Sequence, residues 1–305
     1  MTAIAQSAPR PMSARDWTLL LILGAIWGGS FFFARIAVQE IPPLVLVLLR
    51  VAIAAIALQI YLFATGTSFK PALERIGPFF ALALLNNVIP FSLIFAGQTQ
   101  MGAGLASVLN ATTPMWTLIV ASMLTADEKL TVNKSIGIML GIAGTAVMIG
   151  PGVIAGLGGP VWAKLALVGA ALSYALALVL ARKKFVGVPV PIVASGQLSA
   201  STIIMIPVVA ALYSPAVVMT GSSHVWVAIL ALALVSTAFA YILYFRILAS
   251  AGATNASLVT LIVPVSAILL GVVFLGETLE TFEMIGMLLI GLGLITIDGR
   301  VFRRV

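Results

Sequence analysis

The chain has 305 residues, of which 62% are hydrophobic and only 8% are charged. An average soluble domain is about 45–50% apolar and about 25% charged, so this composition excludes a soluble, disordered or disulfide-stapled protein. The sequence has no Cys and a single His, which leaves little material for a metal centre or for acid–base catalysis. The net charge is +7, but the sixteen Lys and Arg stand in small groups between apolar runs, which argues against nucleic acid as a partner.

Ten apolar runs approach or reach the length of about 20 residues that a helix needs to cross a bilayer. Turn-forming pairs such as Pro42-Pro43 and Pro151-Gly152 stand at the joints between them. We therefore predict an all-α polytopic membrane protein with ten transmembrane helices, surrounded by the lipid bilayer and without an attached soluble domain. The predicted spans cover residues 17–37, 43–63, 77–96, 103–124, 134–149, 162–181, 191–213, 225–247, 253–275 and 282–297.

The positive charges lie mostly on one side of the predicted membrane. Thirteen of the sixteen Lys and Arg residues fall in one set of alternating loops, two lie near helix ends on the other side, and Arg50 lies inside the second span. Loops with an excess of Lys and Arg remain in the cytoplasm, so we predict that both termini are cytoplasmic. No small-residue cleavage site follows the first apolar run, so residues 1–15 are interpreted as a tail rather than a signal peptide, with residues 299–305 as the second tail.

The chain resembles itself at a shift of 150 residues. The pattern Gly-Ala-x-x-Ala-Ser with a following Pro occurs at 102–114 and again at 252–264, and Glu128 matches Glu277 after a one-residue slip. Each half, residues 16–150 and 151–298, then contains five spans. Because five is odd, the second half enters the bilayer from the opposite face, and we predict two inverted five-helix repeats. Alternating-access transporters have this architecture; the alternative is a duplicated, inert scaffold.

Three motifs carry a family resemblance: Ile26-Trp27-Gly28-Gly29-Ser30 in the first span, the Ala-Ser-x6-Pro spans, and the acidic turns Asp127-Glu128 and Gly276-Glu277. With these motifs the chain resembles, over about residues 17–298, the EamA family of the drug/metabolite transporter superfamily. Within that family it is similar to the YddG-type exporters of aromatic amino acids. The resemblance implies a ten-helix carrier that moves a small metabolite outward across a bacterial inner membrane.

Ionisable residues inside a membrane mark ion and substrate pathways. All nine Asp and Glu residues fall in loops or near helix ends, so no carboxylate occupies the middle of a span. A proton-coupled antiporter of cationic drugs normally needs one there, which favours a facilitator or an exchanger. Arg50 lies about seven residues into the second span, where it would bind a substrate carboxylate. The alternatives are that it extends to the interface or pairs with Glu40.

Aromatic and uncharged polar side chains near span centres are the other candidates. An indole or phenol offers a flat apolar wall, and amides or hydroxyls in hydrocarbon need partners in the protein or in a wet cavity. Ordinary packing and interhelical hydrogen bonding are the competing explanations for each of them. The candidate substrate-binding residues are Trp27, Ser30, Arg50, Asn86, Asn87, Asn110, Trp116, Tyr174, Thr237, Tyr241 and Thr260.

Together, these features predict a secondary transporter, not an enzyme, that exports small neutral amino acids by alternating access. Aromatic or hydrophobic amino acids are the preferred substrates. A pocket with polar and aromatic walls suits a zwitterion better than a phosphate or a sugar nucleotide. The alternatives are an EamA-type exporter of another metabolite or drug and, more remotely, an integral-membrane enzyme. No cofactor or metal is expected. Gly137 and Gly141 in the fifth span and Gly286, Gly291 and Gly293 in the tenth predict close packing of these two spans. The carrier is expected to be a monomer or a weak homodimer.

Overall fold

The computed structural model describes residues 12–70, 74–124, 131–155 and 160–298, which contain helices but no strand. Residues 1–11, the tail 299–305 and the turn Asp127-Glu128 lie outside the described residues. Eight helices are long and apolar enough to cross a membrane, and two further apolar helices, Val259–Leu275 and Thr281–Ile297, are shorter. The all-α character agrees with the prediction, while the ten spans and the inverted repeat stay predictions.

We number the helices α1 to α10 in chain order and divide two of them into parts a and b, because a turn interrupts each. The turns are at Ala111-Thr112 and Ser257-Leu258, and a short 3-10 helix, Pro215–Thr220, follows α7. The helices are α1 (Ala14–Ala37), α2 (Pro43–Ala64), α3 (Ile76–Gln98), α4a (Ala103–Asn110), α4b (Thr113–Leu124), α5 (Val132–Ala155), α6 (Val161–Lys184), α7 (Val190–Leu212), α8 (Ser223–Ala251), α9a (Ala253–Ala256), α9b (Val259–Leu275) and α10 (Thr281–Asp298).

Short-range signals in the sequence determine several helix ends. Ser13 and Asp16 form a capping box at the start of α1, with the Asp16 N–H donating to the Ser13 Oγ at 3.2 Å and the Ser13 N–H donating to the Asp16 Oδ2 at 3.1 Å. Pro43 occupies the first turn of α2, where its missing N–H leaves no helical hydrogen bond unmade. Gly276, with φ of 64°, ends α9b in the left-handed region that favours glycine.

One predicted joint is wrong, because α5 continues as far as Ala155 and so includes Pro151-Gly152. A proline inside a helix removes a donor, and a helix in a membrane tolerates this when neighbouring groups satisfy the freed carbonyls. The Lys164 ammonium of α6 donates to the Met148 carbonyl at 2.8 Å, close to this point. A donor from a neighbouring helix therefore binds α5 about one turn before Pro151.

Two helices contain a π-helical segment, Leu84–Val88 in α3 and Ala231–Phe239 in α8. A π-helical turn leaves backbone groups out of the α-helical ladder and is frequent at functional sites. Side-chain hydroxyls cover carbonyls in both segments: Ser173 donates to the Leu85 carbonyl at 2.7 Å, and Thr237 donates to the Leu232 carbonyl at 2.8 Å. The two segments overlap when the chain is shifted by 150 residues, so corresponding parts of the two halves share this irregularity.

Glycines bring α5 and α10 into backbone contact. A Cβ at Gly137 would lie 2.6 Å from the Gly293 carbonyl oxygen, and a Cβ at Gly144 would lie 2.7 Å from the Gly286 carbonyl oxygen. The reverse contacts, from Gly286 to Gly144 and from Gly293 to Gly137, are equally short at 2.7 Å each. The predicted close approach of these two helices is therefore present, and only glycine fits at the four positions. The prediction is wrong for Gly291, which faces away from the contact, since a Cβ there would meet no atom within 4 Å.

We expect Gly144→Val and Gly286→Val to destabilise the protein, because each added side chain would force α5 and α10 apart. Overpacking of this kind costs about 1–3 kcal/mol, which we expect to appear as a lower midpoint of thermal unfolding in detergent. Gly291→Val is the matched control, since a Cβ at Gly291 on the same helix meets no atom within 4 Å. Equal midpoints for all three variants would contradict the proposed contact.

Candidate functional site

Arg50 of α2 is the buried cation around which the candidate site is arranged. Only 7% of its surface is exposed, and its Nε donates to the Thr237 Oγ1 of α8 at 3.0 Å. Its guanidinium carbon lies 3.8 Å from the ring centroid of Phe91 and 5.7 Å from that of Phe95, both on α3. A cation over an aromatic face is stabilised by the ring quadrupole, most strongly where water is excluded. Aromatic faces and a hydroxyl therefore hold the charge of Arg50.

The pairing of Arg50 with Glu40 does not form. The Glu40 carboxylate instead accepts hydrogen bonds from the Ser222 N–H at 2.7 Å and from the Ser222 hydroxyl at 2.8 Å. These two bonds hold the pKa of Glu40 below its usual range. Within the described residues, Arg50 has no carboxylate partner, and its Nη1 and Nη2 make no hydrogen bond.

A chain of amides and phenols extends from the Arg50 region through three helices. The Asn86 Nδ2 of α3 donates to the Gln197 Oε1 of α7 at 2.9 Å, and the Gln197 Nε2 donates to the Tyr241 hydroxyl of α8 at 3.2 Å. The phenol groups of Tyr241 and of Tyr174 on α6 lie within electrostatic range of Arg50. The structure therefore brings five predicted residues around one polar cluster: Arg50 on α2, Asn86 on α3, Tyr174 on α6, and Thr237 and Tyr241 on α8.

The π-helical segments position the polar side chains of this cluster. Asn86 and Asn87 lie in the segment of α3, and the residues 150 positions later, Ser236 and Thr237, lie in the segment of α8. The Asn87 Nδ2 donates to the Ser201 Oγ at 3.0 Å, and the Ser236 hydroxyl donates to the Ile26 carbonyl at 3.1 Å. Each segment thus directs one pair of polar side chains toward other helices.

Trp27 joins the cluster through aromatic contacts rather than directly. Its ring centroid lies 5.5 Å from that of Tyr244, which lies 6.4 Å from Phe245, and Phe245 stacks on Tyr241 at 5.9 Å. Ser30 is buried one helical turn further along α1. A continuous aromatic row therefore leads from the first helix to the phenol at the edge of the polar cluster.

Three predicted residues lie apart from this arrangement. Trp116 lines an apolar cavity of about 220 Å³ between α4b, α5 and α6, together with Met115, Ile142 and Leu165. Asn110 ends α4a, and its buried Oδ1 has no hydrogen-bond partner among the described residues. Thr260 donates to the Ser257 carbonyl at 2.8 Å and so closes its own turn. Nothing in these contacts joins the three residues to Arg50.

Several residues of the site were not among the sequence candidates. Gln197 connects Asn86 to Tyr241, and its position as a polar residue inside an apolar run could have revealed it. Phe91 and Phe95 have no such signal, because an aromatic residue in a membrane helix is usually packing. Their role appears only with the position of Arg50, which belongs to a different helix.

A second buried charge lies away from the cluster. Lys164 and Glu283 are only 1% and 4% exposed, and the Lys164 Nζ lies 3.9 Å from the Glu283 Oε1. The other oxygen of Glu283 accepts from the Glu280 N–H at 3.1 Å at the start of α10. In the part of the chain that the structure describes, no three His, Asp or Glu side chains are arranged to hold a metal ion.

Comparison with known proteins places the chain among membrane transporters. The model of the EamA-like transporter family matches it twice, over residues 16–150 and 161–297. The chain is 26% identical over 271 residues to the uncharacterized transporter YoaV of Bacillus subtilis, covering 88% of this chain and 91% of that protein. It is 27% identical over 288 residues to the uncharacterized inner membrane transporter YedA of Escherichia coli, covering 93% and 91%.

The fold is also similar to that of a solved crystal structure, with a TM-score of 0.67 at 20% sequence identity. The match covers 96% of this chain and 99% of the other, and it concerns the fold alone. Two matches to one family model, which together include nearly all of the described helices, show that the chain belongs to the EamA-like transporter family of the drug/metabolite transporter superfamily.

Proposed function

We propose that this transporter exports small neutral amino acids, preferably aromatic or hydrophobic ones, across the inner membrane by alternating access. Its two five-helix halves would be inverted relative to each other and would work as a facilitator or an exchanger. The observation that carries the proposal is the buried Arg50, held between aromatic rings and a hydroxyl, with no carboxylate partner in the described residues.

Arg50 supplies the group that would bind a substrate carboxylate. A guanidinium presents donors in a planar fork that matches the two oxygens of a carboxylate. Thr237 occupies the Nε donor, and the ring of Phe91 covers one face of the plane. The two terminal nitrogens make no hydrogen bond in the described part of the chain, so they are the natural position for a bidentate carboxylate.

The surroundings of Arg50 favour a zwitterion with an apolar side chain. Tyr241, Asn86 and Gln197 offer uncharged oxygen atoms, which can accept hydrogen bonds from the ammonium group of a substrate. The rings of Phe91, Tyr241 and Phe245 supply flat apolar surface for a substrate side chain. A phosphate or a sugar nucleotide would call for several cations, whereas the described cluster has only Arg50.

The test of this proposal is counterflow of labelled phenylalanine in liposomes that contain only the purified protein. We expect saturable uptake that excess Trp, Tyr or Met inhibits and that phosphate-bearing metabolites do not.

We expect Arg50→Gln to weaken the apparent affinity for phenylalanine about tenfold or more, because a hydrogen bond to a charged group contributes about 1.5–3 kcal/mol. Lys183→Gln, at a helix end, is the control. Undiminished counterflow by the folded Arg50→Gln protein would remove Arg50 from the site.

Thr237 provides a second test, because its hydroxyl orients Arg50. We expect Thr237→Val, which keeps the shape and removes the hydroxyl, to reduce the apparent affinity several-fold. Thr237→Ser keeps the bond to the Arg50 Nε and should retain most of the affinity. The measurement is the concentration of phenylalanine at half-maximal counterflow. Equal values for the Val and Ser variants would show that the hydroxyl does not act on substrate binding.

The two central tryptophans are expected to differ. Trp27 is connected to Tyr241 by a row of contacting aromatic rings, whereas Trp116 lines a separate cavity. We therefore expect Trp27→Ala to weaken phenylalanine counterflow and Trp116→Ala to change the thermal midpoint more than the affinity. A loss of affinity in the Trp116 variant alone would move the substrate site to the cavity between α4b, α5 and α6.

A further inference from the structure

Glu277 connects the two halves of the chain at one end of the helix bundle. It follows Gly276 in the turn between α9b and α10, and its carboxylate accepts from the Ala103 N–H at 2.7 Å and from the Gly104 N–H at 3.1 Å. These N–H groups belong to the first turn of α4a, where a helix has unpaired donors and a positive end. A carboxylate from the second half thus caps a helix of the first half.

Glycines shape the position of this carboxylate. A Cβ at Gly102 would lie 2.5 Å from the Glu277 carboxyl carbon, and a Cβ at Gly271 would lie 2.8 Å from the same atom. A Cβ at Gly104 would lie 3.6 Å from the Glu277 Oε2. Larger residues at Gly102 or Gly271 would displace the carboxyl group, so the close approach of α4a and the α9b–α10 turn depends on them.

The helices that Glu277 joins are packed at this end and separate at the other. α4a packs along α9b, where a Cβ at Gly104 would lie 3.1 Å from the Ile268 Cγ1. α4b instead packs on α6 and, among the described residues, makes no comparable contact with α9a or α9b. The fourth and ninth helices correspond to each other in the two halves, and in the part of the chain that the structure describes this pair packs closely at the Glu277 end.

A polar cavity of about 370 Å³ lies beside the bound carboxylate. Its lining includes Arg35, Leu105, Glu277 and Glu280. The Arg35 guanidinium donates to the Gln98 carbonyl at the end of α3. The cavity therefore reaches the place where the last turn of α3 and the first turn of α4a meet the α9b–α10 turn, and Glu277 lies between it and the α4a–α9b contact.

We propose that Glu277 is the gating residue of this end of the transport path. Release of its carboxylate from the Ala103 and Gly104 N–H groups lets α4a separate from α9b, and rebinding closes the path again. On opening, hydrogen bonds to water replace the two hydrogen bonds to the Glu277 carboxylate. The free-energy difference between the closed and open forms is therefore small, and the contact can open and close reversibly. The assignment rests on the proposed alternating-access function and adds the contact that controls it.

The absence of cysteine from the sequence makes a direct test possible. Leu105→Cys introduces a single thiol at a buried position of α4a that lines the cavity, and its rate of reaction with a membrane-impermeant maleimide reports opening. Adding Glu277→Gln removes one acceptor oxygen and the charge, and we expect labelling about tenfold faster than in the Leu105→Cys parent. Glu40→Gln, which removes another carboxylate bound to the second half, is the control and should leave the rate unchanged.

A second variant tests the same contact without altering Glu277. Gly102→Ala would place a methyl group against the carboxylate and should also speed the labelling of the thiol at position 105. Unchanged labelling in both folded variants, or an equal increase with Glu40→Gln, would overturn the assignment. Labelling does not depend on the substrate, so failed phenylalanine counterflow with faster labelling would refute the proposed substrate and retain the gate. Normal phenylalanine counterflow with unchanged labelling would refute the gate and retain the proposed substrate.

Discussion

The structure depends on one constraint, which is that every backbone polar group inside a membrane must find its partner within the protein. Regular helices meet this requirement for most of the chain. Where the helical ladder is interrupted, side-chain hydroxyls donate to the backbone, as Ser173 of α6 does to the Leu85 carbonyl. The interruptions are therefore the places where helices are connected by specific bonds rather than by apolar contact alone.

The same constraint explains why the candidate site lies at the π-helical segments. A regular apolar helix offers a substrate little to bind, since its polar groups are already used. The segments of α3 and α8 direct Asn86, Asn87, Ser236 and Thr237 inward, and Arg50 is bound by one of these residues. Irregular backbone and buried charge thus support each other: Thr237 closes its own turn and orients the guanidinium with the same hydroxyl.

Local features were predictable from the sequence, and long-range contacts were not. The limits of α4a and α4b, residues 103 and 124, match the predicted span because Gly102 and the apolar run are local signals. The hydrogen bond from Arg50 to Thr237 joins residues 187 positions apart, and no feature of the sequence near Arg50 predicts it. Lys164 is one of the two cations predicted near helix ends, and it does lie in the first turn of α6. Its burial beside Glu283 was not predictable, because the partners come from other helices. The sequence shows where helices end and where charged residues lie, whereas the partners of a charged side chain depend on how the helices pack.

The division of the Arg50 contact between the two halves has a thermodynamic consequence. The guanidinium belongs to the first half and the hydroxyl that orients it belongs to the second, so any relative motion of the halves changes the geometry that a ligand meets. A ligand shifts a conformational equilibrium only as far as its affinities for the two states differ. Under the proposed function, the binding group is assembled from both halves and would differ in affinity between the two states, so substrate occupancy and the relative position of the halves would be thermodynamically linked.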